Sequence, residues 1–243
     1  MKNFKLTIQY NGVFFHGWQM QSDQVTVQGE MESVLKSIFS DQKINLVGAG
    51  RTDSGVHALG QVANVKINTH YGSNDIKNIL NANLSKKIWI VDCVEVDLDF
   101  HSRFSALSRI YEYHITSSFS PFNNERATLI RYDLDCEKLI ECSDLIIGKK
   151  NFSTFCKLNS EVKNKICNVE NSFWVFNQKK MIYTIQANRF LHHMVRFLMG
   201  SMIEVARGKN SINQFNDMLN NNSDITAVRA PSDGLYLMKV LYE

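Results

Sequence analysis

Two passes of the same patterning, strand–helix–strand–strand–helix–strand, run through this chain and leave few folds open to it. In the first pass Phe4, Leu6, Ile8 and Tyr10 alternate with Lys5, Thr7 and Gln9, the signature of a half-buried strand. Thr26 can cap a helix whose apolar residues are Val27, Met31, Val34, Leu35 and Ile38. Strands are expected over 43–49 and 61–67, a short helix capped by Ser73 and ending at Asn81-Ala82-Asn83-Leu84, and a strand over 88–96. In the second pass strands are expected over 109–117, 166–176, 181–187 and 234–242. A helix capped by Asp135 should end at Gly148, and Asn177-Gln178-Lys179-Lys180 should close a hairpin. The strongest helical period covers 190–206, with Leu191, Met194, Val195, Leu198, Met199, Met202 and Val205. Ser211 and Gln214 then have the spacing of a capping box. The expectation is an α+β protein of two ferredoxin-like, RRM-like βαββαβ halves, residues 1–104 and 105–243. One central antiparallel sheet, flanked by helices, would leave a cleft between the halves. Pro121 and Pro231 are the only prolines and no Ser/Gly-rich linker intervenes.

The chemistry concentrates where the first pass turns between its two middle strands. Gly48-Ala49-Gly50-Arg51-Thr52-Asp53-Ser54-Gly55-Val56-His57-Ala58 puts three glycines around one carboxylate, one arginine and one histidine. Glycine allows sharp turns and close backbone approach, and a glycine-rich surface turn with an ordinary Arg–Asp pair would use the same residues. Arg51 beside Asp53 favours the ionised carboxylate, which can act as nucleophile, general base or metal ligand. A metal would need further ligands, and no H-E-x-x-H or His/Cys cluster lies near in sequence. His192 and His193, adjacent within the expected helix, would point about 100° apart. Gly50 and Gly55 have the spacing of a phosphate loop, but Val56 stands in the lysine position. A dinucleotide fingerprint fails for want of a following helix. A Ser54–His57–Asp53 set is too tightly spaced to aim as a triad. A single carboxylate with arginine and nearby aromatics remains, suited to attack on an electron-poor ring or a sugar carbon.

Composition narrows the partners. A net charge of +3 permits an anionic partner without demanding one, so RNA contacts would come from local pairs. Candidates are Lys149-Lys150, Lys163 with Lys165, Lys179-Lys180 and Arg207 with Lys209, each of which a solvated face explains equally well. The aromatics of the 13–25 loop, Phe14, Phe15 and Trp18, are expected in the core rather than on a base. Five scattered cysteines, without a C-x-x-C pair, read as reduced thiols. No apolar run reaches the ~18 residues of a membrane span. Met1 to Lys5 lead straight into a strand without signal or transit character, so a cytoplasmic location and no membrane are expected.

Gly50 to Ala58 resembles the catalytic motif of the TruA family of tRNA pseudouridine synthases. The resemblance extends, in family order, through Tyr10-Asn11-Gly12, Gly17-Trp18-Gln19, Asn81 to Leu84, Phe100 to Ala106, Arg109 to Tyr113, Asn151 to Phe155, Phe190 to Arg196 and Gly234 to Leu237. It implies conversion of uridine to pseudouridine at positions 38, 39 and 40 of the tRNA anticodon stem-loop, without cofactor or metal, by a homodimer. Asp53 would be the nucleophile, attacking either the ribose or the uracil ring or promoting loss of the base. Tyr111 would stack on the target uracil and help remove the last proton, though a core strand tyrosine reads the same. Arg196 would pair with Asp53, Arg51 would fill the space left by the flipped base, and Leu237 would line the pocket. Ser54 stands where alanine is common, Arg189 where an aromatic is common, and 117–134 matches poorly. A non-catalytic RNA-binding protein on the same fold would not need Asp53.

Overall fold

The computed structural model describes residues 1–122, 124–157, 162–178 and 180–243. It divides into two compact units, the first made of Met1–Leu107 with Tyr236–Glu243 and the second of Ser108–Leu235.

The first unit follows the expected order. Strand β1 (Lys2–Tyr10) leads through a single 3-10 turn to helix α1 (Val27–Ile38), strands β2 (Leu46–Gly48) and β3 (His57–Ile67), helix α2 (Ser73–Asn83) and strand β4 (Ile88–Val96). Thr26 caps α1 by accepting from the Gly29 amide at 3.2 Å. The cap position of α2 is Gly72 rather than Ser73, and its amide donates to Asp75 at 2.9 Å. In this unit β1 pairs antiparallel with β3 and β4, and β2 antiparallel with β3. Phe4, Leu6 and Ile8 are fully buried with Met31 and Leu35 of α1 and Ile76 and Leu80 of α2, so the strand alternation and the helix stripes meet in one core. Two boundaries differ from expectation. β2 is only three residues long, and β3 starts at His57, four residues early. His57 is therefore a strand residue. The last strand, β10 (Leu235–Leu241), runs parallel to β3, with Tyr236 opposite His57 and Leu237 opposite Ala58. An all-antiparallel sheet fails there because β10 reaches β3 by a long crossover instead of a hairpin.

The second unit contains β5 (Ser108–Thr116), β6 (Thr128–Leu129), helix α3 (Cys136–Ile146), β7 (Gly148–Asn151), β8 (Ile166–Asn177), β9 (Lys180–Ala187), α4 (Met194–Ala206) and α5 (Ile212–Leu219). β9 pairs antiparallel with β5 and β8, and β8 with β7, while the two residues of β6 lie parallel to β5. The 8–9 hairpin pairs Asn177 with Lys180, Lys179 itself lying outside the described residues, as does Asn123 of the Pro121 to Asn124 break. Asp135 caps α3 by accepting from the Glu137 and Lys138 amides. The Lys138 amide, and then its ammonium, hold the Asp135 carboxyl below its ordinary range. The capping box of α5 forms in both directions between Ser211 and Gln214. Lys149 and Lys150, a candidate RNA-contact pair that a solvated face explains equally well, lie in the strand β7; their neighbour Phe152 is fully buried. Met194, Met199 and Met202 of α4 are buried, with exposures of 1%, 0% and 0%, which places them in the core of this unit.

Helix α4 begins four residues later than its period suggests. His193 adopts a left-handed conformation at φ 66°, which a right-handed helix cannot include. Leu191 belongs to the preceding turn and is buried there, so its apolar character continued the helical pattern without the backbone following. His192 and His193 are likewise off the helix, with ring centroids 4.0 Å apart, so the 100° separation expected of them does not apply. Among the described residues no helix is long and apolar enough to cross a membrane.

Candidate active site

Asp53 sits in a turn without regular structure, and the protein pins that turn on each side. On its N-terminal side Thr52 is buried, its hydroxyl 2.8 Å from the Tyr10 hydroxyl and its carbonyl accepting from the Trp18 amide at 3.1 Å. Burial pushes the Tyr10 phenol far above its ordinary range, so it stays a neutral hydroxyl, and the hydrogen bond from Thr52 opposes that shift only in part. On the C-terminal side the Val56 amide donates to the Asp53 carbonyl at 3.2 Å, and the Gly55 amide to the Phe15 carbonyl at 3.3 Å. Gly55 takes φ 80°, a left-handed conformation open to glycine at no steric cost. Asp53 is half-buried between these anchors.

The aromatics of the 13–25 loop divide. Phe15 and Trp18 are 2% exposed and form the wall against which the Asp53 turn lies, whereas Phe14 faces outward. Gly17 makes the approach feasible. Its φ is 90°, and a Cβ there would stand 2.6 Å from the Thr52 carbonyl oxygen. The histidine of the motif serves structure: His57 is 3% exposed, its Nδ1 accepts from the Gly12 amide at 3.2 Å, and its ring stacks on Tyr236 at 4.6 Å. Leu237, the next residue, is 1% exposed. Arg51 is exposed, and its Nε donates to Gln19 at 3.0 Å. Arg51, Asp53 and Leu237 are thus all carried by the first unit.

The second unit carries Tyr111 and Arg196. Tyr111, opposite Ile185 on β9, is 8% exposed and meets Phe190 edge-to-face at 5.0 Å and 81°. Arg196 lies in the first turn of α4. Its Nε donates to the Ala230 carbonyl at 2.9 Å, and the Ala230 amide donates to the Arg196 carbonyl at 2.9 Å. The reciprocal pair fastens the 227–231 segment along the helix and fixes the inner nitrogen of the guanidinium. Of the basic pairs read from sequence, Arg207 and Lys209 both reach Glu204, at 3.4 and 4.0 Å, so that pair is partly neutralised.

Residues 7–105 and 143–243 match the sequence pattern of the family described as tRNA pseudouridine synthase. The chain belongs to that family. It is 40% identical to tRNA pseudouridine synthase A of Finegoldia magna, over the whole of both chains. It is 40% identical to the protein of that name in Dictyoglomus turgidum and 39% identical to the one in Hydrogenobaculum sp., again over the whole of both chains. Membership makes the chain an isomerase acting on tRNA, a pseudouridine synthase.

Three residues that shape the synthase's Asp53 turn have structural roles that residue type and spacing do not show. Thr52 was read as a loop residue, and only its 2.8 Å contact with Tyr10 shows why a hydroxyl belongs there. Gln61 is fully buried and donates to the Gly50 carbonyl at 2.9 Å. Gln61 and Asn64 inside the largely apolar run 56–65 are the available signal, because a buried amide needs partners. Gly17 stands in the family-like segment Gly17-Trp18-Gln19, but nothing in that segment says which backbone it lets approach.

Proposed function

We propose that this synthase converts uridine to pseudouridine at positions 38, 39 and 40 of the tRNA anticodon stem-loop, with Asp53 as the catalytic nucleophile. The observation that carries the reading is the half-buried carboxylate in a turn tied down at Thr52 and at Gly55, within a chain that matches tRNA pseudouridine synthases end to end. A nucleophile held in place before the substrate arrives avoids the reorganisation cost of a free side chain.

The chemistry is an isomerisation. The carboxylate adds to the ribose at C1′ or to the uracil ring at C6, or promotes loss of the base; in each case the N1–C1′ bond breaks. The uracil turns in place, C5 bonds to C1′, any bond formed to the carboxylate breaks again, N1 takes up a proton and the proton on C5 leaves. Atoms and electrons balance within the nucleotide, so the step uses no cofactor and no metal. Tyr111 stacks on the uracil and assists removal of that proton. Arg196 supplies the cation that favours the ionised catalytic carboxylate. Arg51 takes the space of the flipped base, whose extrusion costs a few kcal/mol of stacking, and Leu237 lines the uracil pocket. The protein works as a homodimer in the cytoplasm.

Tritium release from tRNA transcripts labelled at uridine C5 tests the central claim. Wild type releases tritium. Asp53→Asn binds the same tRNA and releases none, a loss of at least about a thousandfold, equivalent to ~4 kcal/mol of barrier. No release by either protein from tRNAs shown to bind would favour the non-catalytic RNA-binding reading. Loss of binding in a folded Asp53→Asn would assign the carboxylate to recognition. Tyr111→Phe keeps the ring and slows release; an unchanged rate would remove the hydroxyl from the chemistry. Sedimentation tests the dimer.

A further inference from the structure

A line of amides runs from Arg51 into the core of the first unit. Arg51 Nε donates to Gln19 Oε1 at 3.0 Å, and Gln19 Nε2 donates to Gln28 Oε1 at 2.8 Å. The Gln28 Oε1 also accepts from the Met20 amide at 3.1 Å, while its Nε2 donates to the Leu46 carbonyl at 3.1 Å and to Glu32 Oε1 at 3.0 Å. Glu32 in turn accepts from the Leu46 amide at 3.4 Å and from Lys36 at 3.1 Å. Gln28 and Glu32 are 8% and 5% exposed.

The direction of this line is not optional. A backbone N–H can only donate and a backbone carbonyl can only accept. Met20 and Leu46 therefore hold the Gln28 amide in one of its two orientations, since reversal would set N–H against N–H and oxygen against oxygen. With its Oε1 toward Gln19, Gln28 calls for the Gln19 Nε2, and the Gln19 oxygen is left facing outward. Arg51 Nε, which can only donate, meets that oxygen. Two glutamines thus pass an orientation set by backbone groups near α1 and β2 to an exposed arginine beside Asp53. Burial alone explains Gln28, whose partners sit in the core. It does not explain Gln19, which is half-exposed and would be solvated without Arg51.

We infer that Gln19 is a positioning residue for the isomerisation: anchored by Gln28, it fixes the inner nitrogen of Arg51 and so sets the tilt of the guanidinium before RNA arrives. The inference rests on the reading of Arg51 as the group that occupies the place of the flipped base. An arginine side chain has many rotamers to lose, and ordering it in advance removes part of that cost from the flipping step.

Single-turnover tritium release, tRNA affinity and thermal midpoint of four proteins test this: wild type, Gln19→Met, Arg51→Met and the double variant. Methionine keeps the length of glutamine and removes the amide. Gln19→Met is expected to slow release about tenfold with affinity and midpoint unchanged, and to add nothing to the larger loss in Arg51→Met. A normal rate in Gln19→Met beside a slow Arg51→Met overturns the positioning role. So does multiplication of the two losses in the double variant, because Gln19 would then act by another route. A normal rate in Arg51→Met overturns the reading of Arg51 and this inference with it, while leaving the role of Asp53 to its own test.

Discussion

Around Asp53 the chain makes no helix or strand, and beside the local Val56 amide its turn is tied to residues distant in sequence: Tyr10, Phe15 and Trp18. Around Arg196 a regular helix supplies the scaffold, and one strap, 227–231, lies along it. Both regions present a charged group in a fixed direction. The turn does so through a buried hydroxyl pair and close backbone approach, the helix through one reciprocal pair of bonds with Ala230. Each depends on a glycine that lets two backbones touch. Gly17 stands against the Thr52 carbonyl, and Gly200, one helical turn beyond Arg196, against the Val228 carbonyl and the Ala230 amide. An irregular turn has no internal hydrogen-bond ladder to fall back on, so its geometry depends on its neighbours. A helix keeps its own ladder when a strap is lost.

That difference can be broken or sharpened by substitution. The largest effect is expected at Gly17→Ala, where left-handed strain adds to a Cβ 2.6 Å from a backbone oxygen. We expect a stability loss of about 1–3 kcal/mol in denaturant melts and a fall in tritium release greater than the fall in stability explains. Gly200→Ala meets an equally unyielding backbone and should cost a similar ~1–3 kcal/mol, but here activity of the folded fraction should persist. Equal activity losses per unit of stability in the two variants would abolish the contrast. Tyr10→Phe should come next. It leaves the Thr52 hydroxyl buried without its partner, at a cost of about 1–2 kcal/mol, read from melts together with a slower release. Arg196→Lys keeps the charge and loses the Nε bond to Ala230; a stability change of about 1 kcal/mol and a measurable rate loss are expected.

The smallest effect concerns the thiols of both units. Burial pushes Cys93 in the first unit and Cys142 in the second up to about 12, from the ordinary 9.0, with neighbouring Asp92 and Glu141 adding to it, and burial pushes Cys167 up to about 11. These folded-state values lie above the unfolded one, so the unfolded chain binds fewer protons once pH passes 9.0. The stability that neutral thiols contribute is complete below pH 9.0 and is lost as pH rises toward 11 to 12. Melts across that window should fall steadily, and replacing Cys142 by alanine should flatten the slope. At neutral pH a thiol reagent should label exposed Cys136 quickly and buried Cys93, Cys142, Cys156 and Cys167 only on unfolding.

Much of the fold is legible before any coordinates. Periods of two and of 3.6 mark β1, β4, α1 and β9 because each element buries one face, and burial selects apolar residues at the element's own repeat. The caps at Thr26, Asp135 and Ser211 are legible for the same local reason: a side-chain oxygen satisfies an amide two or three residues away. Elements made by pairing rather than by their own pattern are not legible. β7, with two lysines, is a strand because β8 lies beside it, and β6 is two residues long. The start of α4 was misplaced because Leu191 is buried in a turn that continues the helical spacing.

The site divides along the same line. From residues alone the chain identifies Asp53 and Arg51 as a chemically capable pair in a glycine-rich turn, and its family motifs, in order, mark Tyr111, Arg196 and Leu237. Chemistry and family are written in residue types and spacing, which survive without coordinates. Only the tertiary structure decides that Thr52 hangs from Tyr10, that His57 is a strand residue stacked on Tyr236, and that Arg51 is held by Gln19. Those partners lie between 32 and 179 positions apart, and no local pattern encodes a contact that a distant segment must arrive to make.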